Sequence, residues 1–457
     1  MSTSFTLDSA PHAPRTVISR EGSPDLYLLL DPETPNWVIV NTIGKDIITL
    51  CDGKTPLQHI IQALCEKYNE PYHESVDSVL AFVNELREKT VLREEEWVPP
   101  STPDKKAVPL HNFWLNVTNA CNLRCIHCHQ ESGPPLENEL TEKEICHVIS
   151  EAQELGARHM TVSGGEPLLR KDILAILAYA YDCMEGIQLI TNGTQITDEI
   201  ARVLKELNVA VQVSLDGARE ETQDFIRGKG SYRKVIEGLK TLVRVGAPVT
   251  VGMTLMSQNV HEMEEMAHLV KSLGISSLHF PILQMKGRAK QNESQVALED
   301  NDLIEAFKRM KDISKIGIVT TIEDTLRNEV EKMQRREFCG AGISMMSVSP
   351  NGNIYPCAGL HDDRFCGGTI REQTLKDIWE TGEVFSELRS LSVLDIPECG
   401  ECELKYICGG GCHVDRFHDS GELKKVSPKC GVHRELYWYL LMEEAREAQH
   451  AHNNSHE

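Results

Sequence analysis

The chain has 457 residues, which at about 150 residues per domain allows roughly three domains and a large buried core. Its 47 Lys and Arg stand against 69 Asp and Glu, and the net charge of −22 argues against a nucleic-acid or anionic-membrane role. The start, MSTSFTLDSAPHAPR, lacks the basic end and apolar run of a signal peptide, and no stretch of about 18 apolar residues could span a bilayer. A cytoplasmic location is therefore expected, where 15 cysteines point to metal or catalytic use rather than disulfides.

Residues 1–20 are expected to be disordered. After them DLYLLL and NWVIVN, separated by DPETP, read as a hairpin, followed by helical patterns in NTIGKDIITLC, PLQHIIQALCEKY and ESVDSVLAFVNELREK. Cys51, Cys65, Cys146 and Cys183 lie outside the cysteine clusters and read as small buried apolar residues. Through the words TIGKDIITLCDG and FVNELREKTVL, residues 21–95 resemble the PqqD-like peptide-recognition domain, a winged-helix fold. Winged helices also bind DNA, but the acidic balance weighs against that here. The resemblance implies capture of the leader segment of a precursor peptide, added as a strand to the hairpin's exposed edge. EEEWVPPSTPDKK reads as a polar, proline-bearing linker, placed at residues 96–110.

From 111 to 315, the strand patterns FWLNV, HMTVSGG, GIQLIT, VAVQVSL, VTVGMTL and SLHFPIL alternate with helical ones. Such alternation means parallel pairing by βαβ units, and six repeats suggest a partial (β/α)6 barrel of the α/β class. The first of these strands runs into CNLRCIHCHQ. Its thiols Cys121, Cys125 and Cys128 would sit on a loop at a strand's C-terminal end, where α/β barrels keep their active sites. Three thiolates so spaced can hold three irons of a 4Fe-4S cluster and leave the fourth open. A zinc knuckle completed by His127 or His129 is the alternative.

The C-x-x-x-C-x-x-C motif resembles that of the radical S-adenosylmethionine (SAM) enzymes. That resemblance implies that the amino and carboxylate groups of SAM chelate the open iron, and that the partial barrel holds this zwitterion. Gly164, Gly165, Glu166 and Pro167 in SGGEP would contact the SAM amino group, with Asn192 of TNG nearby. Ser214 and Asp216 of SLDG would meet the ribose or the amino-acid portion, and Arg227 would pair with the carboxylate. Leu283 and Met285 would either pack on adenine or belong to the core.

Seven further thiols follow: Cys339, Cys357, Cys399, Cys402, Cys408, Cys412 and Cys430. Their order resembles the SPASM domain, an extension of radical SAM enzymes carrying two auxiliary iron-sulfur clusters. It is expected over residues 316–442, ahead of a polar tail at 443–457. A zinc ribbon is the competing reading for the last five. The resemblance implies that Cys399, Cys402, Cys408 and Cys430 complete one cluster while Cys339, Cys357 and Cys412 hold another. An eighth cysteine expected before the first is missing, so that iron is either open to a substrate thiolate or ligated out of pattern by Cys366. Cys366 could also be a hydrogen-atom donor or a plain surface thiol.

Together the resemblances imply SAM and three 4Fe-4S clusters, and a flavodoxin- or ferredoxin-type reductant. They imply an enzyme that releases a 5′-deoxyadenosyl radical to modify a ribosomally made precursor peptide, first of all by thioether crosslinking. A radical SAM enzyme acting on a small molecule or tetrapyrrole, and a non-enzymatic iron-sulfur electron carrier, are the alternatives.

Overall fold

Leu29, Val38 and Val40 face one way from the N-terminal sheet, and Leu28 and Leu30 face the other, as the two-residue period of a strand requires. A computed structural model of the chain describes residues 4–13, 17–20, 25–94, 108–322 and 335–454. The sheet has the order β1 (Val17–Arg20), β2 (Tyr27–Leu30), β3 (Trp37–Val40), all antiparallel. β1 covers one side of the expected hairpin, so among the described residues the hairpin's unpaired edge is that of β3. The first apolar face closes on helices Thr42–Leu50, Leu57–Tyr68 and Tyr72–Glu88, and the second joins the core of the main body.

The disorder expected for residues 1–20 is corrected where the chain is described. The Phe5 ring is buried in the core of the three helices, and its amide donates to Asn84 Oδ1 at 2.8 Å. His12 and Ala13 donate to the carbonyls of Arg93 and Cys51 at 2.7 and 2.8 Å. Burying one large aromatic ring is enough to order a short polar segment. Most of the expected linker, residues 95–107, lies outside the described residues.

The six expected strands form β4 (Asn112–Asn116), β5 (His159–Ser163), β6 (Gly186–Thr191), β7 (Ala210–Ser214), β8 (Val249–Gly252) and β9 (Ser277–Phe280). They are parallel and adjacent in chain order. Leu115, Val162, Leu189, Val213, Val251 and Leu278 fill the core behind them. The partial barrel therefore stands, with two additions. β10 (Val319–Ile322) extends it in parallel past the expected boundary at 315. On the other side β11 (Met345–Val348) pairs in parallel with β4, and β12 (Asn353–Tyr355) and β13 (Gly368–Thr369) continue antiparallel. The cysteine-rich region expected as a separate unit over 316–442 thus shares one ten-stranded sheet with the barrel, open at β10 and β13.

Helix Cys430–Asn454 crosses the expected start of the polar tail at 443 without a break. Among the described residues, no helix is long and apolar enough to cross a membrane.

The N-terminal unit docks through the turn between β2 and β3. Lys405 Nζ pairs with Glu33 Oε1 at 2.5 Å, and Arg335 Nη1 donates to the Glu33 carbonyl at 3.2 Å.

Candidate active site

The segments CNLRCIHC, SGGEP, TNG and SLDG leave the same edge of the parallel sheet, because each follows the C-terminal end of its strand. Glu139 braces the start of the cysteine loop, accepting from Thr118 Oγ1 at 2.8 Å and from the Asn119 amide at 2.7 Å. The loop is then tied to its neighbours: Cys121 N donates to Gly133 O at 2.8 Å and Ile126 N to Ile226 O at 3.0 Å.

The two glycines of SGGEP serve this loop. Gly165 N and Glu166 N donate to the carbonyls of Thr118 and Ala120, both at 2.8 Å. A Cβ on Gly164 would lie 2.4 Å from Thr118 O, one on Gly165 would lie 2.2 Å from Ala120 O, and Gly164 has a φ of +126°. Both glycines let two backbones touch.

Glu166 is fully buried and accepts from Leu168 N at 3.0 Å, Thr191 Oγ1 at 2.7 Å and Asn192 N at 2.7 Å. Three of a carboxylate's roughly four acceptor positions are thereby taken, so the group braces strand ends and has little left for an ammonium. Pro167 opens the short helical turn that follows. Asn192 donates to Asn122 Oδ1 at 2.8 Å, inside the cysteine loop, and Ser214 stands half-buried at the end of β7.

Arg227 and Asp216, expected to meet different parts of one ligand, meet each other. Arg227 Nε donates to Asp216 Oδ2 at 2.6 Å and Nη1 reaches Cys125 Sγ at 3.8 Å. Asp216 also accepts from Thr254 N at 2.9 Å, and His127 Nε2 lies 3.4 Å from it. A ligand carboxylate would have to share Arg227 with Asp216. Burial pushes the Cys125 thiol up to about 11 against the pull of Arg227, and pushes His127 down to about 4, a neutral imidazole. Leu283 and Met285 belong to a small core with Ile226, Met256 and Ile126.

Sequence reasoning missed the segment that roofs this loop. Arg288 N donates to Cys128 O at 3.0 Å, and its Nε donates to Cys125 O at 2.8 Å. Gly287, at φ +58°, passes so close that a Cβ would lie 2.6 Å from His129 O. The only signal was a glycine and three basic residues soon after the sixth strand, in MKGRAK.

In the C-terminal region the thiols gather in two sets. Cys402 and Cys430 stand close enough for their charge to act on Cys399 and Cys408, whose thiols burial pushes up to about 11 and about 12. Cys339 stands close enough to act on Cys357 and Cys412, with burial pushing Cys357 up to about 11 and burial and Asp415 raising Cys412. Cys366 Sγ donates to Gly368 O at 3.7 Å and lies beside Tyr355.

The donor set fits iron-sulfur clusters: three groups of soft thiols, each held near its partners by backbone rather than by mutual bonding. All 15 cysteines are free thiols. Of the four outlying cysteines Cys51 is buried as expected, whereas Cys65, Cys146 and Cys183 are only half-buried.

Comparison with known proteins finds three matching families. Residues 115–270 match the radical SAM superfamily, residues 27–92 match coenzyme PQQ synthesis protein D, and residues 339–403 match the iron-sulfur cluster-binding (SPASM) domain. An AdoMet-dependent heme synthase of Methanosarcina barkeri is 31% identical over 333 residues, 69% of this chain and 94% of that protein. The mycofactocin maturase MftC of Mycobacterium tuberculosis is 29% identical over 329 residues, 70% of this chain and 83% of that one. Streptococcus suis SuiB, solved bound to precursor peptide SuiA, superposes with a TM-score of 0.61 at 16% identity, covering 93% of this chain and 99% of that one.

Proposed function

This chain is an enzyme of the radical SAM superfamily with PqqD-like and SPASM domains, a family that uses SAM and iron-sulfur clusters, and from that premise we propose that it matures a ribosomally made precursor peptide. The observation that carries the reading is one of placement. A PqqD-like unit with a free β3 edge is fastened through Glu33 and Lys405 to the same body that holds Cys121, Cys125 and Cys128 at the sheet's C-terminal edge. A leader strand added to β3 would raise the effective concentration of the core peptide at that edge.

Cys121, Cys125 and Cys128 would hold the first cluster, and the two C-terminal sets would hold two auxiliary ones, three 4Fe-4S clusters in all. When bound, SAM and the first cluster supply one-electron cleavage of SAM and abstraction of hydrogen from a carbon by the radical released. The protein's part is positional. Arg227 sets a positive charge beside Cys125 while anchored by Asp216. Gly165 and Glu166 fix the path of the cysteine loop, and Arg288 roofs it against water. Asn192 and Ser214 remain at the strand ends for polar contacts to the nucleotide.

Thioether formation is the preferred outcome, since the set of Cys339, Cys357 and Cys412 offers only three thiols and an iron there could accept a peptide thiolate. Cytoplasmic location and a flavodoxin- or ferredoxin-type reductant belong to the same reading. Anaerobic turnover with SAM and short peptides encoded nearby tests it. The expected result is 5′-deoxyadenosine together with a peptide lighter by a pair of hydrogens for each crosslink.

The similarity to a heme synthase favours a second reading, action on a tetrapyrrole. Consumption of a tetrapyrrole with every candidate peptide unchanged would establish it in place of the first.

A further inference from the structure

The turn Cys408–Gly409–Gly410–Gly411–Cys412 joins the two auxiliary thiol sets, and a guanidinium lies against it. Arg416, in helix His413–Ser420, is fully buried. Its Nη1 would lie 3.5 Å from a Cβ on Gly410, and its Nη2 is 3.5 Å from Gly411 O and 3.1 Å from His413 Nδ1. On its other side Arg416 Cζ stands 4.5 Å from the centre of the Phe338 ring, the residue before Cys339. Among the described residues, its Nε and Nη1 have no hydrogen-bond partner.

A buried cation is costly unless negative charge lies close by. Here the groups whose charge acts on it include Cys339 and Cys412 of one set and Cys399 and Cys408 of the other. Thiolates around iron would supply the missing negative charge from both sides.

We propose that Arg416 is the shared countercharge of the two auxiliary clusters and keeps both of their reduction potentials high. The proposal rests on the two-cluster reading above. A fixed cation favours the more negative, reduced form of each cluster, and a water-free surrounding lengthens its reach. Arg416 touches no substrate and is a positioning residue.

The test uses the full chain with Cys121→Ala, Cys125→Ala and Cys128→Ala, so that only auxiliary clusters can form, followed by iron analysis and electron-paramagnetic-resonance redox titration. Adding Arg416→Met is expected to shift both midpoint potentials to more negative values, and Arg416→Lys to leave them near the parent. Loss of iron in Arg416→Met with retention in Arg416→Lys also supports the assignment, since charge is what the two variants do not share. Potentials unmoved in an iron-loaded Arg416→Met protein, a shift of only one cluster, or loss of iron in both variants would overturn it. A parent that binds no iron removes the two-cluster reading, and the proposal with it.

Discussion

Arg227 Nε donates to Asp216 Oδ2 at 2.6 Å, and both side chains are buried. Neither charge can turn to water if the other is removed. Arg227→Ala is therefore expected to destabilise the fold by about 3–5 kcal/mol, the usual cost of stranding one partner of a buried pair. The same change withdraws the cation beside Cys125, so iron bound per chain should fall as well. Urea unfolding and iron analysis on one preparation check both, and an unchanged unfolding midpoint would contradict the geometry.

Gly165→Ala is expected to impair the cysteine loop without touching a thiol. The added Cβ would lie 2.2 Å from the Ala120 carbonyl oxygen, a backbone atom with no rotamer to escape into. Overpacking of this kind costs about 1–3 kcal/mol. If that strain falls on the loop's working geometry, SAM cleavage drops roughly ten- to hundredfold. Measuring 5′-deoxyadenosine formation against the parent decides it.

Glu144 links the barrel to the C-terminal region, caps its own helix with Thr141, and accepts from Arg371 Nε at 2.9 Å. The Arg371 guanidinium, helped by the Thr141 amide, holds its carboxyl down at about 2, below the ordinary 4.5. A group depressed on folding stabilises the native state above its unfolded value and stops doing so as pH falls through the folded one. The stability difference between parent and Glu144→Gln should thus be full above about pH 5 and fade between 4.5 and 2. A pH series of urea midpoints measures it, and a gap that widens on acidification would refute the assignment.

Lys405→Met is expected to loosen the N-terminal unit. Its partner Glu33 is a third exposed, so the pair contributes no more than about 1 kcal/mol. Global unfolding should barely move, while hydrogen exchange in β2 and β3 rises. Peptide modification should fall with peptide-independent SAM cleavage retained.

Cys51 is buried at the end of the first helix, and burial pushes its thiol up to about 12. Alkylation of the native protein near neutral pH should spare it, and unfolding should expose it. Peptide mapping after iodoacetamide treatment reads the difference.

Much of this was legible because the strands announce themselves. β4 through β9 are short apolar runs between helical patterns, and a parallel sheet buried on both faces leaves that signature. β11 escaped notice because MMSV resembles many loop segments, and pairing with a strand more than two hundred residues earlier leaves no local trace. The segment around Phe5 misled for a related reason: one ring in a polar stretch carries no period. Within the site, residue types at the strand ends were readable but their partners were not. Asp216 and Arg227 looked like two ligand contacts, and only the fold shows that each answers the other. Arg416 gave no warning, since a lone arginine near cysteines reads as surface charge until its burial is known.

The pairing of β11 with β4 means that the strand bearing the first cysteine triplet is an interior rung of the ladder, flanked on both sides. Cutting the chain ahead of residue 335 would strip that rung of one neighbour and leave a bare row of amides and carbonyls next to the loop it positions. Such a fragment would be a ready template for a second molecule, prone to self-association. Three families can be told apart along this polypeptide, yet two of them are woven into a single fabric, and shuffling them as cassettes would unravel it.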